Sequence, residues 1–447
     1  METTLDTGLT AWMLVSASLV LLMTPGLALF YGGMVRRTSV LNMMMMSYGA
    51  MAVVGVVYVL WGWSMSYGSA SVAGLFANPF THFGLDGTIT DATGEFVLDG
   101  GLPVVVDVGF QATFAIITVA LISGAIADRA RFGTWLVFAA AWVTLAYFPM
   151  AHMVWGGGLL SGEGPFASIA EPIDFAGGTV VHINAGAAAL VLAIVVGRRQ
   201  GFGTVAMRPH NLPLVMLGAA LLWFGWFGFN AGSAYGADGV AGLAWVNTTT
   251  ATCAAILGWL LVERVRDGHA TSLGAASGVV AGLVAITPAA GSVSPVGSIA
   301  LGAVAGGLCA VAVGLKFRLG LDDSLDVVGV HLVAGLWGTV AIGLLGTETG
   351  LFYGGGLSQL AVQIIIALVA VAISVVVTTI IALALKYTMG WRVSEDEESS
   401  GIDSSAHAES GYDFGGLGAP RSTAFQGPFS PIPTPAAPAE STSEVRS

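Results

Sequence analysis

The sequence predicts an all-α polytopic membrane protein with eleven transmembrane helices. Hydrophobic residues make up 55% of the 447-residue chain and charged residues only 9%, a balance that excludes an ordinary soluble protein of this length. Apolar runs of about 20 residues, the length that crosses a bilayer, recur eleven times. Glycine, at 63 residues, falls inside these runs, where small residues let helix backbones approach closely. We therefore expect a tightly packed helical bundle.

Hydropathy over a window of about 19 residues locates the eleven spans. In chain order they are 10–32, 41–64, 106–127, 134–159, 175–197, 211–230, 241–262, 272–289, 297–315, 327–346 and 357–385. The first span has no basic residue before it and runs on into an arginine pair, which indicates a retained helix and not a cleaved signal peptide. The connection 65–105 is rich in Gly, Thr and Asp and is predicted to be the most flexible external segment.

The positive charges predict the orientation of the chain in the membrane. All 15 lysines and arginines lie in alternate connections or in the C-terminal tail. By the positive-inside rule the N-terminus is outside and the C-terminus is inside. Five helices followed by five more start on opposite sides of the membrane, so the chain fits two inverted five-helix repeats plus one extra helix.

Two intramembrane histidines support the repeat. His182 lies in the fifth span and His331 in the tenth, and each follows a carboxylate: Asp174 by eight residues and Asp326 by five. Small residues at helical spacing share the face of each histidine, so each ring is expected to point at a packed neighbour and not at lipid. An ionisable group held there is a candidate for function.

The histidine pair can be interpreted in three ways. A neutral imidazole both donates and accepts, so two rings in contact could share one proton and form a polar thread through an apolar pore. Each ring could instead be a core residue bonded to a backbone carbonyl. The pair could also ligate haem or a transition metal, although no Cys or carboxylate cluster accompanies it. We expect no cofactor, no metal and no enzymatic activity.

Aromatic residues gather near the external ends of several spans. They are Phe114, Trp155, Trp226, Phe227 and Phe229, and Ser233 follows closely. Aromatic faces attract a small cation, and a hydroxyl supplies a directional acceptor. The alternative is the interfacial aromatic belt found in many membrane proteins.

Several long motifs, in order, resemble the Amt branch of the Amt/Mep/Rh family of ammonium transporters. They are AHMVWGGGLL, DFAGGTVVHINAGAAALVLAIVVGRR over 174–199, WFGFNAGSA and DDSLDVVGVH. The resemblance implies a homotrimer with one pore per subunit that takes up ammonium and deprotonates it on the way in. It also implies site residues: Trp155, Ser233, Phe114 and Asp174 in external recruitment, Phe114 and Phe229 as the gate, and His182 and His331 as the pore pair.

The chain divides at the end of the last span. Residues 1–390 form the expected transmembrane domain. The resemblance implies that 391–415 is a cytoplasmic regulatory segment that helps a PII-type nitrogen regulatory protein dock. Residues 416–447 are rich in Pro, Ser and Ala and are predicted to be disordered. A sensor that signals through such a partner remains an alternative. A nucleic-acid partner is not expected, and the acidic surface with few lysines suits an archaeal halophile.

Overall fold

The computed structural model describes residues 4–412. Within that range eleven helices are long and apolar enough to cross a membrane, which confirms the predicted fold class. They are α1 (Thr7–Met34), α2 (Val40–Tyr67), α3 (Val104–Ile126), α4 (Phe132–Val154), α5 (Gly178–Val196), α6 (Leu212–Gly232), α7 (Gly239–Asp267), α8 (Ser272–Ala289), α9 (Pro295–Leu319), α10 (Val328–Leu345) and α11 (Ser358–Thr388). Residues 416–447, and the end of the predicted regulatory segment, lie outside the described range.

Close helix packing follows from the small residues inside the spans. A Cβ at Gly302 or Gly306 of α9 would collide with the carbonyl oxygens of Ala251 and Ala255 on α7. The two backbones therefore meet along these glycines, as small-residue contacts allow in a membrane. The same applies to α5 and α10, where a Cβ at Gly335 would lie 3.1 Å from the His182 Cβ.

Both histidine-bearing helices begin in the same unusual way. Their first turns, Gly178–Ile183 and Val328–Leu332, are π-helical and contain the histidine. Such turns occur often at functional sites because they displace a side chain from its regular helical position.

A buried carboxylate caps each of these turns, and here the sequence interpretation was wrong in one detail. The counterpart of Asp174 is Asp323 and not Asp326, because Asp323 accepts hydrogen bonds from the N–H groups of Val327 (3.0 Å) and Val328 (2.7 Å). Like Asp174, it precedes its histidine by eight residues. Burial, together with the neighbouring Asp326 carboxylate, raises the pKa of Asp323 to about 6. Asp326 itself pairs with Lys316 at 2.6 Å.

The connection between α2 and α3 is folded rather than loose. It contains two short hairpins, β1 (Ser71–Val72) with β2 (Phe76–Ala77) and β3 (Leu98–Asp99) with β4 (Leu102–Pro103). The first hairpin lies on the end of α4, where the Ser71 hydroxyl bonds His152 Nε2 at 2.8 Å. His152 Nδ1 bonds the Ser66 carbonyl oxygen, so both ring nitrogens of this histidine have partners within the fold.

A buried ion network joins the connections that follow α3, α5 and α9. Arg199 pairs with Asp322 (2.8 Å) and Asp128 (3.3 Å). Burial disfavours the ionised Asp322, but the Arg199 guanidinium outweighs it and keeps the Asp322 pKa below its ordinary value. Beside this pair, Arg129 donates to several carbonyl oxygens, among them that of Asp322 at 2.7 Å. Burial lowers the pKa of Arg129 to about 10, a value that still leaves it charged at neutral pH.

Two short helices after α11 pack on this same face: α12 (Glu395–Ser400) and α13 (Ile402–His407). The buried Glu398 carboxylate of α12 bonds Arg392 (2.5 Å) and the N–H of Gln200 (2.7 Å). Asp403 of α13 accepts from the N–H groups of Leu41 (3.1 Å) and Asn42 (2.8 Å) and so caps α2. The segment after α11 is therefore fixed to the connection after α5 and to the start of α2.

Candidate functional site

The two predicted pore histidines meet in the middle of the bundle. His182 Nδ1 lies 3.3 Å from His331 Nδ1, the ring centroids are 5.4 Å apart, and both side chains are buried. At this contact one nitrogen donates and the other accepts, so the pair holds one shared proton between the rings. His182 Nε2 has no hydrogen-bond partner within residues 4–412. It is therefore an open polar atom in an apolar space.

That apolar space is a narrow cavity along the pair. Its volume is about 10 Å³, room for about one molecule of the size of water. Besides the histidines it is lined by Met23, Leu27, Phe30, Tyr31, Ile117, Leu121, Val181, Leu222, Trp226, Phe229 and Val280. The Trp226 ring stacks on the His182 ring with centroids 5.5 Å apart. The Trp226 indole Nε1 donates a hydrogen bond to the Thr287 hydroxyl at 2.8 Å, which holds the indole in place. The ring of His182 is therefore held between an aromatic face and the second histidine.

Two phenylalanines close the outer end of this cavity. Phe114 of α3 and Phe229 of α6 stack with centroids 4.1 Å apart and an interplanar angle of 24°, and both are fully buried. Phe229 in turn faces His182 at 6.2 Å. The predicted gate and the predicted pore pair thus lie in direct succession.

Trp155 and Ser233 lie on the outer side of the gate and are partly exposed. Trp155 meets Phe114 edge-on at 6.0 Å. The Ser233 hydroxyl donates to the Phe229 carbonyl oxygen at 2.8 Å, so its lone pairs remain available to an incoming donor. An aromatic edge, an aromatic face and an acceptor oxygen surround the entrance, which suits a small cation that can donate hydrogen bonds.

Asp174 belongs to this entrance, but its carboxylate does not face it. The carboxylate oxygens accept from the N–H groups of Gly177 (2.8 Å), Gly178 (2.6 Å), Thr179 (2.8 Å) and Val180 (3.3 Å), and from the Thr179 hydroxyl. These are the N–H groups that the start of a helix leaves unpaired. The Asp174 carbonyl oxygen accepts from Trp155 Nε1 at 2.9 Å. Asp174 therefore positions Trp155 through its backbone.

The structure also corrects and extends the aromatic set. Phe227 does not join the site, because its ring stacks on Trp245 at 4.6 Å instead of on the gate. Sequence reasoning missed Phe110, which meets Phe114 at 4.9 Å and Tyr235 at 5.7 Å, edge-on in both cases. Its spacing of four residues from Phe114, one helical turn, was the available signal.

The haem and metal alternative does not fit this geometry. Imidazole–metal bonds are about 2 Å long, so two rings that bind one haem iron from opposite faces would need a nitrogen separation of about 4 Å, whereas the Nδ1 atoms are 3.3 Å apart. The adjoining cavity is far smaller than a porphyrin. Among the described residues no group of three or more His, Cys, Asp or Glu side chains could hold a metal ion.

Comparisons with known proteins agree with this architecture. The model of the Ammonium Transporter Family matches residues 11–412. The ammonium transporter of Mycobacterium tuberculosis strain H37Rv is 57% identical over 434 residues, which cover 92% of this chain and 91% of that protein. The crystal structure of Saccharomyces cerevisiae Mep2 is 31% identical with a TM-score of 0.79, covering 88% of this chain and 92% of that one. A structure titled "Sensor Amt Protein" is 28% identical with a TM-score of 0.81, covering 90% and 98%. This chain is therefore a multi-pass membrane protein that belongs to the Ammonium Transporter Family.

Proposed function

We propose that the protein carries ammonium from the outside of the cell membrane to the cytoplasm through the pore of each subunit. The observation that supports this most is one continuous file of rings. Centroids of Trp155, Phe114, Phe229, His182 and His331 follow one another at 6.0, 4.1, 6.2 and 5.4 Å. This row of rings leads from the proposed cation-binding mouth at Trp155, through the stacked Phe114 and Phe229, to the two histidines that share a proton.

Recruitment at the mouth selects a cation that can donate hydrogen bonds. The faces of Trp155 and Phe114 attract positive charge, with a cation–π contribution of about 0.5–2 kcal/mol depending on desolvation. Ser233 supplies one directional acceptor. Together they replace part of the hydration shell of ammonium before it reaches the gate, which lowers the cost of leaving water.

Beyond the gate the surroundings favour neutral ammonia over the ammonium cation. A bare cation in a cavity of about 10 Å³ lined mostly by apolar side chains is strongly disfavoured, whereas neutral ammonia fits and can bond one imidazole nitrogen. The stacked Phe114 and Phe229 rings must separate for passage. Ammonium therefore transfers its proton near the gate to His182 Nε2, which has no partner within residues 4–412. The pair passes a proton from His182 Nδ1 to His331 Nδ1 and on toward the cytoplasm, and neutral ammonia follows through the cavity, so that one positive charge crosses with each ammonia.

Two residues of α6 allow a matched test of the pore. Phe229→Ala opens the gate, while Phe227→Ala removes an identical ring that stacks on Trp245 away from it. In proteoliposomes challenged with an ammonium concentration jump, we expect Phe229→Ala to change the transport rate or to admit potassium, and Phe227→Ala to behave as wild type. Equal behaviour of the two variants would contradict a pore along this ring file.

We further propose that three copies assemble and that the cytoplasmic face receives a PII-type regulatory protein. Support comes from the docked α12 and α13: Glu398 bonds Gln200 in the connection after α5, and Asp403 caps the start of α2. If those parts of the membrane domain moved, α12 and α13 would move with them and would change the surface offered to the partner. Native mass spectrometry tests the trimer, and a PII pull-down with and without residues 391–412 tests the partner.

The same coupling would serve ammonium sensing, a second candidate function. The similarity to a structure titled "Sensor Amt Protein" favours it. Variants that lose flux but keep partner binding in response to ammonium would separate sensing from transport.

A further inference from the structure

A second polar group lies at the outer mouth, beyond Trp155 and Ser233. Tyr235 donates its hydroxyl hydrogen to Asp107 Oδ1 at 2.6 Å, and Gln111 Nε2 donates to the Tyr235 oxygen at 2.6 Å. We call Asp107, Gln111 and Tyr235 the outer triad. Neither the gate nor the histidine pair uses any of these three residues.

The outer triad is aligned with the pore. Asp107, Phe110 with Gln111, and Phe114 are spaced by three to four residues along α3, so they share one face of that helix. At a rise of about 1.5 Å per residue, Asp107 lies about 10 Å above Phe114 along the helix. Phe110 connects the two levels, because its ring contacts both Tyr235 and Phe114.

The outer triad presents acceptors that the protein leaves unfilled. Asp107 takes part in none of the ion pairs formed by residues 4–412. Its Oδ1 bonds Tyr235, and no described residue donates to its Oδ2. Gln111 is 7% exposed, and its Oε1 is buried without a partner in the same range. A carboxylate without an ion-pair partner and an amide oxygen without a donor, on two side chains that both bond Tyr235, are groups that a cationic hydrogen-bond donor satisfies.

We propose that the outer triad is a cation-binding site that ammonium occupies before it reaches Trp155 and Ser233. The Asp107 carboxylate supplies charge, Gln111 Oε1 supplies a neutral acceptor, and the Tyr235 hydroxyl holds the carboxylate in place. This inference rests on the proposed ammonium transport. Its effect is on capture: it concentrates the cation at the mouth without touching the gate or the histidines.

Asp107 also stands in the first turn of α3, where an acidic side chain stabilises a helix through its dipole. The structural role and the role in cation binding predict different effects on transport when Asp107 is replaced. Loss of a cation site raises the apparent KM for ammonium and leaves the maximal rate unchanged. Loss of a helix-stabilising charge lowers the amount of folded protein and leaves the KM unchanged.

The test measures ammonium-evoked currents on a solid-supported membrane with full-length reconstituted protein and ammonium chloride as the probe. One unit charge removed about 10 Å from the recruitment site should raise the apparent KM about two- to fourfold in Asp107→Asn. Asp107→Glu keeps the charge and should restore the wild-type KM. Asp86→Asn is the matched control, because it removes an exposed carboxylate from the connection between α2 and α3, outside the outer triad.

Ionic strength provides a second readout. The screening length falls from about 30 Å at 0.01 M to about 3 Å at 1 M salt, so choline chloride should reduce the difference between Asp107→Asn and wild type. An Asp107→Asn variant with the KM of Asp86→Asn at low salt would overturn the cation site. So would a lower maximal rate with unchanged KM. Absence of ammonium-evoked current in the wild type would instead refute the proposed transport itself.

Discussion

Replacing Asp174 by alanine should destabilise the outer end of α5 more than any comparable change at its inner counterpart. The Asp174 carboxylate accepts three short hydrogen bonds from backbone N–H groups and one longer bond of 3.3 Å, besides the bond from the Thr179 hydroxyl. Asp174→Ala leaves all of these donors without their acceptor. Asp323 caps α10 with only two such bonds, so Asp323→Ala is a matched control.

The magnitude follows from the number of donors left unpaired. Each unsatisfied buried donor costs about 1–3 kcal/mol, and the lower end applies where water can enter from the mouth. Four backbone donors then give about 4 kcal/mol for Asp174→Ala, against about 2 kcal/mol for Asp323→Ala. Asp174→Ala keeps the carbonyl oxygen that anchors Trp155, but loss of the cap frees the backbone that holds this oxygen in place. This variant should therefore lose ammonium recruitment as well as stability.

Thermal unfolding of both variants in detergent, followed by currents from the reconstituted proteins, measures the two effects. We expect a lower unfolding temperature for Asp174→Ala than for Asp323→Ala, and a raised apparent KM for ammonium in the outer variant. Equal unfolding temperatures would refute the capping argument. A stable Asp174→Ala variant that has lost transport would mean that the carboxylate contacts the cation directly.

Three further predictions concern the mouth, the cytoplasmic network and the tail. Trp155→Leu removes the π face and should weaken ammonium binding by about 0.5–2 kcal/mol; an unaltered apparent affinity would assign Trp155 to the aromatic belt. Asp322→Ala leaves Arg199 buried without its main partner and should lower the free energy of unfolding by about 3–5 kcal/mol, measured by thermal unfolding. Because the folded Asp322 has a pKa below its ordinary 3.8, this contribution is fully present above pH 3.8 and is lost as the pH falls through the lower value. Deleting 416–447 should leave transport unchanged, whereas deleting from residue 391 should impair transport or PII pull-down; equal results for both truncations would show that the tail is not regulatory.

Hydropathy was sufficient to locate all eleven membrane helices, because bilayer thickness imposes one length on every span. It could not give the exact ends, which depend on local capping: α5 begins at Gly178, after the Asp174 cap, and not at residue 175. The connection before α3 was misjudged for a similar reason. Its composition is that of a loop, but pairing within two hairpins and the bond from Ser71 to His152 order it.

The sequence indicated which candidate side chains lie near one another better than it indicated their hydrogen bonds. Spacing indicated that His182 and His331 face the interior, and the structure brings them into contact. It could not indicate which carboxylate pairs with which helix: Asp326, five residues before His331, was chosen, while the capping residue is Asp323. That distinction depends on which side chain reaches the free N–H groups, which is set by the backbone geometry at the start of α10.

The central claim is that ammonium is deprotonated and the amine passes along the His182–His331 pair. The most direct test is the current evoked by an ammonium jump in His182→Ala and His331→Ala, recorded at several pH values together with selectivity against potassium. Truncating either ring opens the cavity and removes the partner that shares the proton, so both variants should stay folded and change rate, pH dependence or selectivity. Wild-type values of all three quantities in both variants would contradict the account.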